Sequence, residues 1–305
     1  MLNYKCHMCG GELSISPSGE LVCPYCGAKL NFSDAQLREY KEFRFNMLKF
    51  LASAADRKAD ENATRKLWDY AERIDFVSRD DGQSITIEYL YETKDDGITM
   101  YMAKSSIIYV FEEDRLRDAD RMLDAIAKVR YPSADMKGLS KYIPELIAQF
   151  YLKGNRIMLV FSKEENMYPL GAFGSLSYRH SAWILSRLEN LCCVLEYSDL
   201  FHNGIRLESI CINPFTHEAA LYGGWWNTVH CIEGNTKDLE QIRETVLKVL
   251  GTQRDEAPKP FLAFLKSRPE RDAYTDFAKW DEVIERKLGG RHFARFESDS
   301  LSDRR

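Results

Sequence analysis

Four cysteines near the start of the chain carry the clearest chemistry in the sequence. Cys6-His7-Met8-Cys9 and Cys23-Pro24-Tyr25-Cys26 form two CxxC pairs with 13 residues between them. Each pair is followed by a glycine, Gly10 and Gly27, which lets the backbone fold beneath the sulfurs. Four thiolates on two such knuckles satisfy a tetrahedral metal and leave no open position, as in a structural zinc site. Iron accepts the same four donors, so the metal stays open between the two, with zinc the commoner occupant. A redox role for CxxC calls for a βαβ setting, which is absent here. Four reduced core thiols are also a poor reading, because roughly 30 residues cannot fold without a staple. His7, inside the first pair, reads as an exposed residue and not a competing ligand.

The elements around these cysteines divide the chain. Residues 1–32 are rich in Cys and Gly with short β-like pieces. Residues 33–78 read as a helical connector, with Ser33 as N-cap and Leu37, Tyr40, Phe43, Met47, Leu48 and Leu51 at helical spacing. A second helical patch, ENATRKLWDYAERI, follows. The apolar stripe is predicted to pack on the neighbouring domain, being short for a coiled coil. Strand signals fill residues 79–168: ITIEYLYE, ITMYMAK, SIIYVFEE, then LIAQFYLKG and RIMLVFSK joined at Gly154-Asn155. One helix, DRLRDADRMLDAIAKV, interrupts them. Residues 169–296 are mostly helical, and residues 297–305 form a polar tail predicted to be disordered. The order predicts an α+β fold in two lobes, β-rich then helical.

Composition bounds the partners. The 305 residues are 45% apolar and 29% charged with a net charge of −5, which suits a globular chain and demands neither nucleic acid nor an anionic membrane. Lys5, Tyr25 and Lys29 are too little basic and aromatic material to make nucleic-acid binding the leading use of the Cys-rich module, and protein docking is at least as good a reading. No signal peptide and no run of about 20 apolar residues is present. The expected location is therefore cytoplasmic, or the host cytoplasm for a viral protein. The eight cysteines read as thiols or metal ligands before disulfides.

The second region with chemical content is LFHNGIRLESICINP, residues 200–214, followed by HEAALYGGWWN. Together with the helix before it, this stretch resembles the catalytic-loop and metal-loop region of protein kinases. The Cys-rich module likewise resembles the zinc ribbons at the ends of many bacterial and viral proteins. The kinase resemblance covers about residues 80–296 and is strongest over 180–296. RPERDAYTDFAKWDEVIERKLGGRHFARF is similar to the closing helices of a phage and bacterial kinase-like family found behind J-domains or zinc modules. The resemblance implies a β-rich N-lobe, a helical C-lobe, and an aspartate, Asp238, that braces the catalytic loop through its backbone.

The same resemblance implies a loss of chemistry. His202 falls on the loop histidine, but Gly204 replaces the aspartate base. Ser209, or its neighbour Ile210, stands at the metal-binding Asn, and Tyr222-Gly223-Gly224 occupies the DFG triplet. Phosphoryl transfer depends on positioned phosphates and metal-neutralised charge. ATP and Mg²⁺ are thereby deprived of their usual ligands, since a tyrosine does not replace a carboxylate on Mg²⁺. The first strand turn, TKDDG, has one glycine, Gly97, and sets Asp95 and Asp96 near any triphosphate. Lys104 is the candidate for the nucleotide-binding lysine, with Asp118 or Asp120 as its helix partner. That assignment requires SIIYVFEE to be an added piece and not the third strand.

Other groups read as structure. His202 is expected to pack and not to act as a base, Cys192-Cys193 lies in an apolar helix, and His230-Cys231 is a weak nucleophile pair because adjacent side chains diverge. Trp225-Trp226 is expected to fill space that a nucleotide or metal would use. The sequence thus points to a zinc-ribbon pseudokinase that serves as an interaction or regulatory scaffold with a protein partner. The alternative is an atypical phosphotransferase or nucleotidyltransferase whose rearranged metal site draws on Glu208, Glu218 or Asp199. Oligomeric state is not legible.

Overall fold

The computed structural model describes residues 14–15, 21–23, 29–30, 68, 71–131, 135–213, 218–230 and 236–290. Near the N-terminus three two-residue strands, β1 (Ser14–Ile15), β2 (Leu21–Val22) and β3 (Lys29–Leu30), form an antiparallel meander in that order. The register pairs Ile15 with Leu21 and Leu21 with Leu30. The connector's apolar stripe and the C-terminal tail lie outside the described residues.

Next in the chain is a hairpin of which the sequence announces the second strand, in ITIEYLYE, but not the first. β4 (Glu72–Val77) pairs with β5 (Ser84–Tyr89) over six antiparallel rungs. Residues 72–77 are predicted helical within the 33–78 connector, and the structure corrects this. Phe76 from β4 joins Ile87 and Tyr89 from β5 in a buried cluster with Tyr101, Ile108 and Met158. Burial on one face of a sheet therefore overrides a helical reading that rested on propensity.

Five strands follow: β6 (Tyr91–Asp95), β7 (Ile98–Met102), β8 (Ser106–Phe111), β9 (Leu146–Leu152) and β10 (Arg156–Ser162). They build one sheet in the order β6-β7-β8-β10-β9, with every neighbouring pair antiparallel. The period-2 alternation of strands is visible in β7 and β8. Tyr101, Ile108 and Val110 face outward under the β4–β5 hairpin, with Tyr101 edge-on to Tyr89 and Phe76 at ring separations of 4.9 and 5.8 Å. Met100, Met102, Ile107, Tyr109 and Phe111 face inward, toward helix α1 (Leu116–Ala127) with its buried Ala119 and Met122. Lys153, Gly154 and Asn155 close the β9–β10 hairpin, with Gly154 and Asn155 at φ of 78° and 53°, a left-handed conformation that Gly and Asn adopt more readily than other residues.

After a short linker the chain becomes helical, as predicted. β11 (Tyr168–Pro169) leads to α2 (Tyr178–Tyr197), whose Ser177 cap accepts from the His180 amide. Two short pairings follow, β12 (Leu200–Phe201) with β15 (Val229–His230), and β13 (Ile210–Asn213) with β14 (Glu218–Leu221). The remaining helices are α3 (Thr236–Leu250), α4 (Lys259–Lys266) and α5 (Ala273–Lys287). Helix α4 lies in the stretch 169–296 that the sequence predicts as mostly helical, without being marked out there as an element of its own. Pro260 near its start and the buried Phe261 and Phe264 explain it.

One buried ion pair ties these helices together. Arg243 on α3 donates from Nη2 to both carboxylate oxygens of Asp276 on α5, each at 2.6 Å, and from Nη1 to the Phe264 and Ser267 carbonyls. Both side chains are essentially excluded from solvent. Removing one partner of such a pair strands the other charge, a cost of about 3–5 kcal/mol. Asp276→Ala should therefore lose stability of that order in urea unfolding followed by circular dichroism. A loss under about 1 kcal/mol, the range of exposed pairs, would show that the pair does not hold the helices.

Candidate functional site

The site is built around the loop between β12 and β13. Asp238, fully buried on the first turn of α3, accepts hydrogen bonds from the His202 amide at 2.8 Å and the Asn203 amide at 2.7 Å. The next contact along α3 continues this support, with Gln241 accepting from the Ile205 amide at 2.9 Å. These bonds hold Asn203 at φ of 55°, a left-handed conformation that Asn tolerates better than most residues. The path of the loop is therefore held through its backbone amides.

Those side chains do structural work. The His202 ring is buried and stands edge-on to Trp225 at 5.0 Å between centroids. Burial pushes its imidazole down to about 3, with the Gly223 backbone pulling the other way. Ser209 staples the loop: its hydroxyl donates to the Arg206 carbonyl and accepts from the Arg206 amide, both at 2.8 Å. Its own carbonyl accepts from the Tyr222 and Gly223 amides. At Gly204 a side chain would be crowded. A β-carbon there would lie 3.0 Å from Asn227 Nδ2 and 3.0 Å from the Gly224 carbonyl oxygen. Tyr222 is buried, and burial raises its phenol well above its ordinary value.

Opposite this loop the sheet presents aromatic bulk. Tyr109, in the middle of β8, packs edge-on against Phe161 and Trp226 at 6.1 and 5.6 Å. Its hydroxyl would stand 3.1 Å from a β-carbon on Gly223. Burial pushes its phenol well up. The space left between the sheet and the loop is about 20 Å³, lined by Met100, Tyr109, Ser209, Gly223 and Trp226 among others. That is room for about one water molecule. The β6–β7 turn is only Asp96-Gly97, both at positive φ, and leaves no loop to wrap a phosphate. Asp95 beside it pairs with Arg206 across the opening, and Arg206 Nε also meets Glu208 at 3.6 Å.

Several sequence-predicted positions land elsewhere. Because β8 is the third strand of the sheet and pairs on both sides, SIIYVFEE is not an added piece. Lys104 then falls in the exposed β7–β8 turn, with its ammonium 3.9 Å from Glu165, and Tyr109 takes the cleft-facing place. Asp118, its suggested partner, bonds Arg115 and Arg121 instead. The three carboxylates of the alternative reading do not converge. Glu208 is beside the closed cleft, Asp199 pairs with Arg130 at 2.8 Å, and Glu218 pairs with Lys141. Cys192 and Cys193 are buried in α2, and burial pushes the Cys193 thiol up to about 12. Of the metal-ligand candidates, Cys23 lies buried immediately after β2, whereas Cys6, Cys9 and Cys26 are outside the described residues, as is Cys231.

Sequence reasoning missed Lys163, just after β10. Its buried ammonium donates to the carbonyls of Lys104 at 2.8 Å, Glu164 at 2.9 Å and Glu165 at 3.3 Å. Burial lowers it to about 8. A lone Lys at a strand end gives no sequence signal for this clamp.

Comparison with known proteins places the architecture. No family model matches the chain, and no curated protein does. Among solved structures, vaccinia related kinase 3 is similar at 12% identity and a TM-score of 0.51, over 73% of this chain and 93% of that one. WbdD is similar at 12% identity and a TM-score of 0.47, over 72% of this chain and 51% of that one. A rhoptry antigen kinase domain of Toxoplasma gondii is similar at 8% and 0.47, over 81% and 99%. The chain has a protein-kinase-like fold, with a β-sheet N-lobe and a helical C-lobe. Among the described residues no helix is long and apolar enough to cross a membrane.

The buried imidazole makes a pH dependence readable. Unfolded, His202 takes up a proton near pH 6.5, and in the native chain only near 3. Between those values the unfolded state binds more protons, so stability falls as pH drops from about 6.5 toward 3. His202→Phe, which keeps a ring against Trp225, should lose less stability than the parent between about pH 6 and 4, by up to ~1.4 kcal/mol per pH unit. Parallel urea titrations of the two proteins would read the difference. Identical slopes would mean the imidazole takes up its proton without unfolding.

Proposed function

We propose that this chain is a pseudokinase that uses a kinase-like shell, and a zinc ribbon ahead of it, to engage a protein partner without transferring phosphate. The observation that carries this reading is the cleft, where about 20 Å³ remains between Tyr109, Trp226 and the loop. Sites for nucleotide-sized ligands occupy roughly 300–1,000 Å³. The crowding at Gly204 supports the same reading, because an aspartate there would press on the Gly224 backbone. Arg206, the cation on the rim, is already engaged by Asp95 and Glu208 and so is not free for a triphosphate. Regulation or scaffolding follows as the use left to such a shell, and its partner is a protein.

The ribbon's metal is held by Cys6, Cys9, Cys23 and Cys26. Support comes from the meander, whose strands of two residues are too short to bury a core, and from Cys23, which is fully buried at the end of β2. A thiolate set of this type supplies folding energy to a sheet that lacks its own.

Two measurements test these statements separately. Thermal-shift titration with ATP and Mg²⁺ or Mn²⁺ should leave the melting temperature unchanged, since only a ligand that binds the native state raises it. Metal-dependent stabilisation with transfer of radiolabel from ATP would overturn the pseudokinase reading. Metal analysis of the purified chain should find about one zinc ion per molecule, and the Cys6→Ser, Cys23→Ser double variant should lose it. Unchanged metal content in that variant would refute the ribbon site.

A further inference from the structure

Helices α2 and α5 meet along a seam that hydrogen bonds fix at both ends. Glu196, near the end of α2, accepts the Ala273 amide at 2.8 Å, and Ser186 takes the Trp280 indole N–H at 2.7 Å. Glu189 falls on the same face of α2, about one turn from Ser186 and about two from Glu196. It is fully buried. The surroundings are apolar: Trp280 is also excluded from solvent and stacks on Phe261 and Phe264 at 5.5 and 5.1 Å.

The charges that act on Glu189 come from two other helices. Arg243 on α3 supplies a cation, and Asp276 and Asp281 on α5 bring two carboxylates. On α2 itself the neighbours are the Cys192 and Cys193 thiols, which burial keeps protonated. The guanidinium is already committed, Nη2 to both oxygens of Asp276 and Nη1 to the Phe264 and Ser267 carbonyls. Among the described residues neither Glu189 oxygen receives a hydrogen bond, and Arg243 Nε donates none. The guanidinium therefore does not hold Glu189 as it holds Asp276. A carboxylate buried without a donor takes up a proton instead of keeping its charge. The neutral acid then has one O–H to donate. Asp276 can accept it: Oδ1 takes Arg243 and the Glu270 amide, whereas Oδ2 takes Arg243 alone among the described residues.

We infer that Glu189 is kept in the native chain as a neutral carboxylic acid donating to Asp276, and that this proton is a pH-sensitive clasp between α2 and α5. Losing it sets two carboxylates against one guanidinium inside the seam, so like charges push α2 and α5 apart. Burial, and then the Asp276 charge, raise the Glu189 carboxyl well above its ordinary value, with Arg243 pulling the other way. An unfolded chain releases this proton near pH 4.5, and the native chain only at higher pH. Between those values the native state binds more protons than the unfolded one. The clasp is complete below about pH 4.5, and its contribution is lost as pH rises toward the native value. Its direction is opposite to that of His202, which weakens the fold on acidification.

Infrared spectroscopy of the full chain in heavy water reads the proton directly. At neutral pH the folded protein should show a carboxylic-acid carbonyl band, and Glu189→Gln, which keeps a donor for Asp276, should remove it. Urea unfolding of the two proteins reads the linkage. Relative to the Gln variant, the parent should lose about tenfold in its folding equilibrium constant for each pH unit above about 4.5, until the native carboxyl itself ionises. If the Gln variant does not fold, ¹³C labelling of the glutamate side chains should shift the band in the parent and assign it to a glutamate. The absence of an acid band at neutral pH, a band that survives Glu189→Gln or is unmoved by the label, or a stability difference constant over about pH 4.5–7 would each overturn the clasp.

Discussion

Two hydrogen bonds from the Asp238 carboxylate to the His202 and Asn203 amides hold the centre of this molecule in place. They are charge-assisted, buried and directed at backbone, and each is worth about 1.5–3 kcal/mol, more than a neutral bond. Because they recognise amides and not side chains, they fix the path of the loop through its backbone. That path sets Gly204 against Gly224, aims Ser209 at its own turn and lays His202 on Trp225. The loop thus holds this path with Gly204 and Ser209 among its residues.

Two features close the cleft, and their magnitudes differ. The Asp95–Arg206 pair spans the opening, but both side chains are more than two-fifths exposed. Pairs of that kind contribute about 0–1 kcal/mol and weaken with salt. The aromatic plug of Tyr109, Phe161 and Trp226 is buried, and each such side chain gains about 1.5–3 kcal/mol from leaving water. Packing closes the cleft, and the ion pair rests on top of it. Separating the lobes would expose that surface, so the closed form is the ground state of the fold itself.

Much of the architecture was legible because it is local. The β9–β10 turn showed itself in Gly154-Asn155, and α1, α2, α3 and α5 in their apolar spacing. Asp238 could be placed because the resemblance to protein kinases implies a bracing aspartate on the helix after the loop. What remained hidden depends on partners distant in sequence. The β4–β5 hairpin needs the outer face of the sheet to make Phe76 more favourable in a strand than in a helix. Lys104 looked like a nucleotide lysine as long as SIIYVFEE seemed extra, and only strand order shows that Tyr109 holds the inward place. The Arg243–Asp276 pair and the Lys163 clamp join charges to sites 33 and 59 residues away, and nothing local marks either.

The β4–β5 hairpin also has a mechanical meaning. Trp68 and Ala71 pack on the main core just ahead of β4, and the chain leaves β5 at Tyr89, directly across the ladder from Glu72. Past that packing, tension between the leading segment and the sheet would load the Glu72–Tyr89 rung first. The ladder would open like a zipper, one rung at a time toward Val77–Ser84, and not shear all six together. Force arriving from the N-terminal side would be dissipated in this outer hairpin before it reached the Asp238-braced loop.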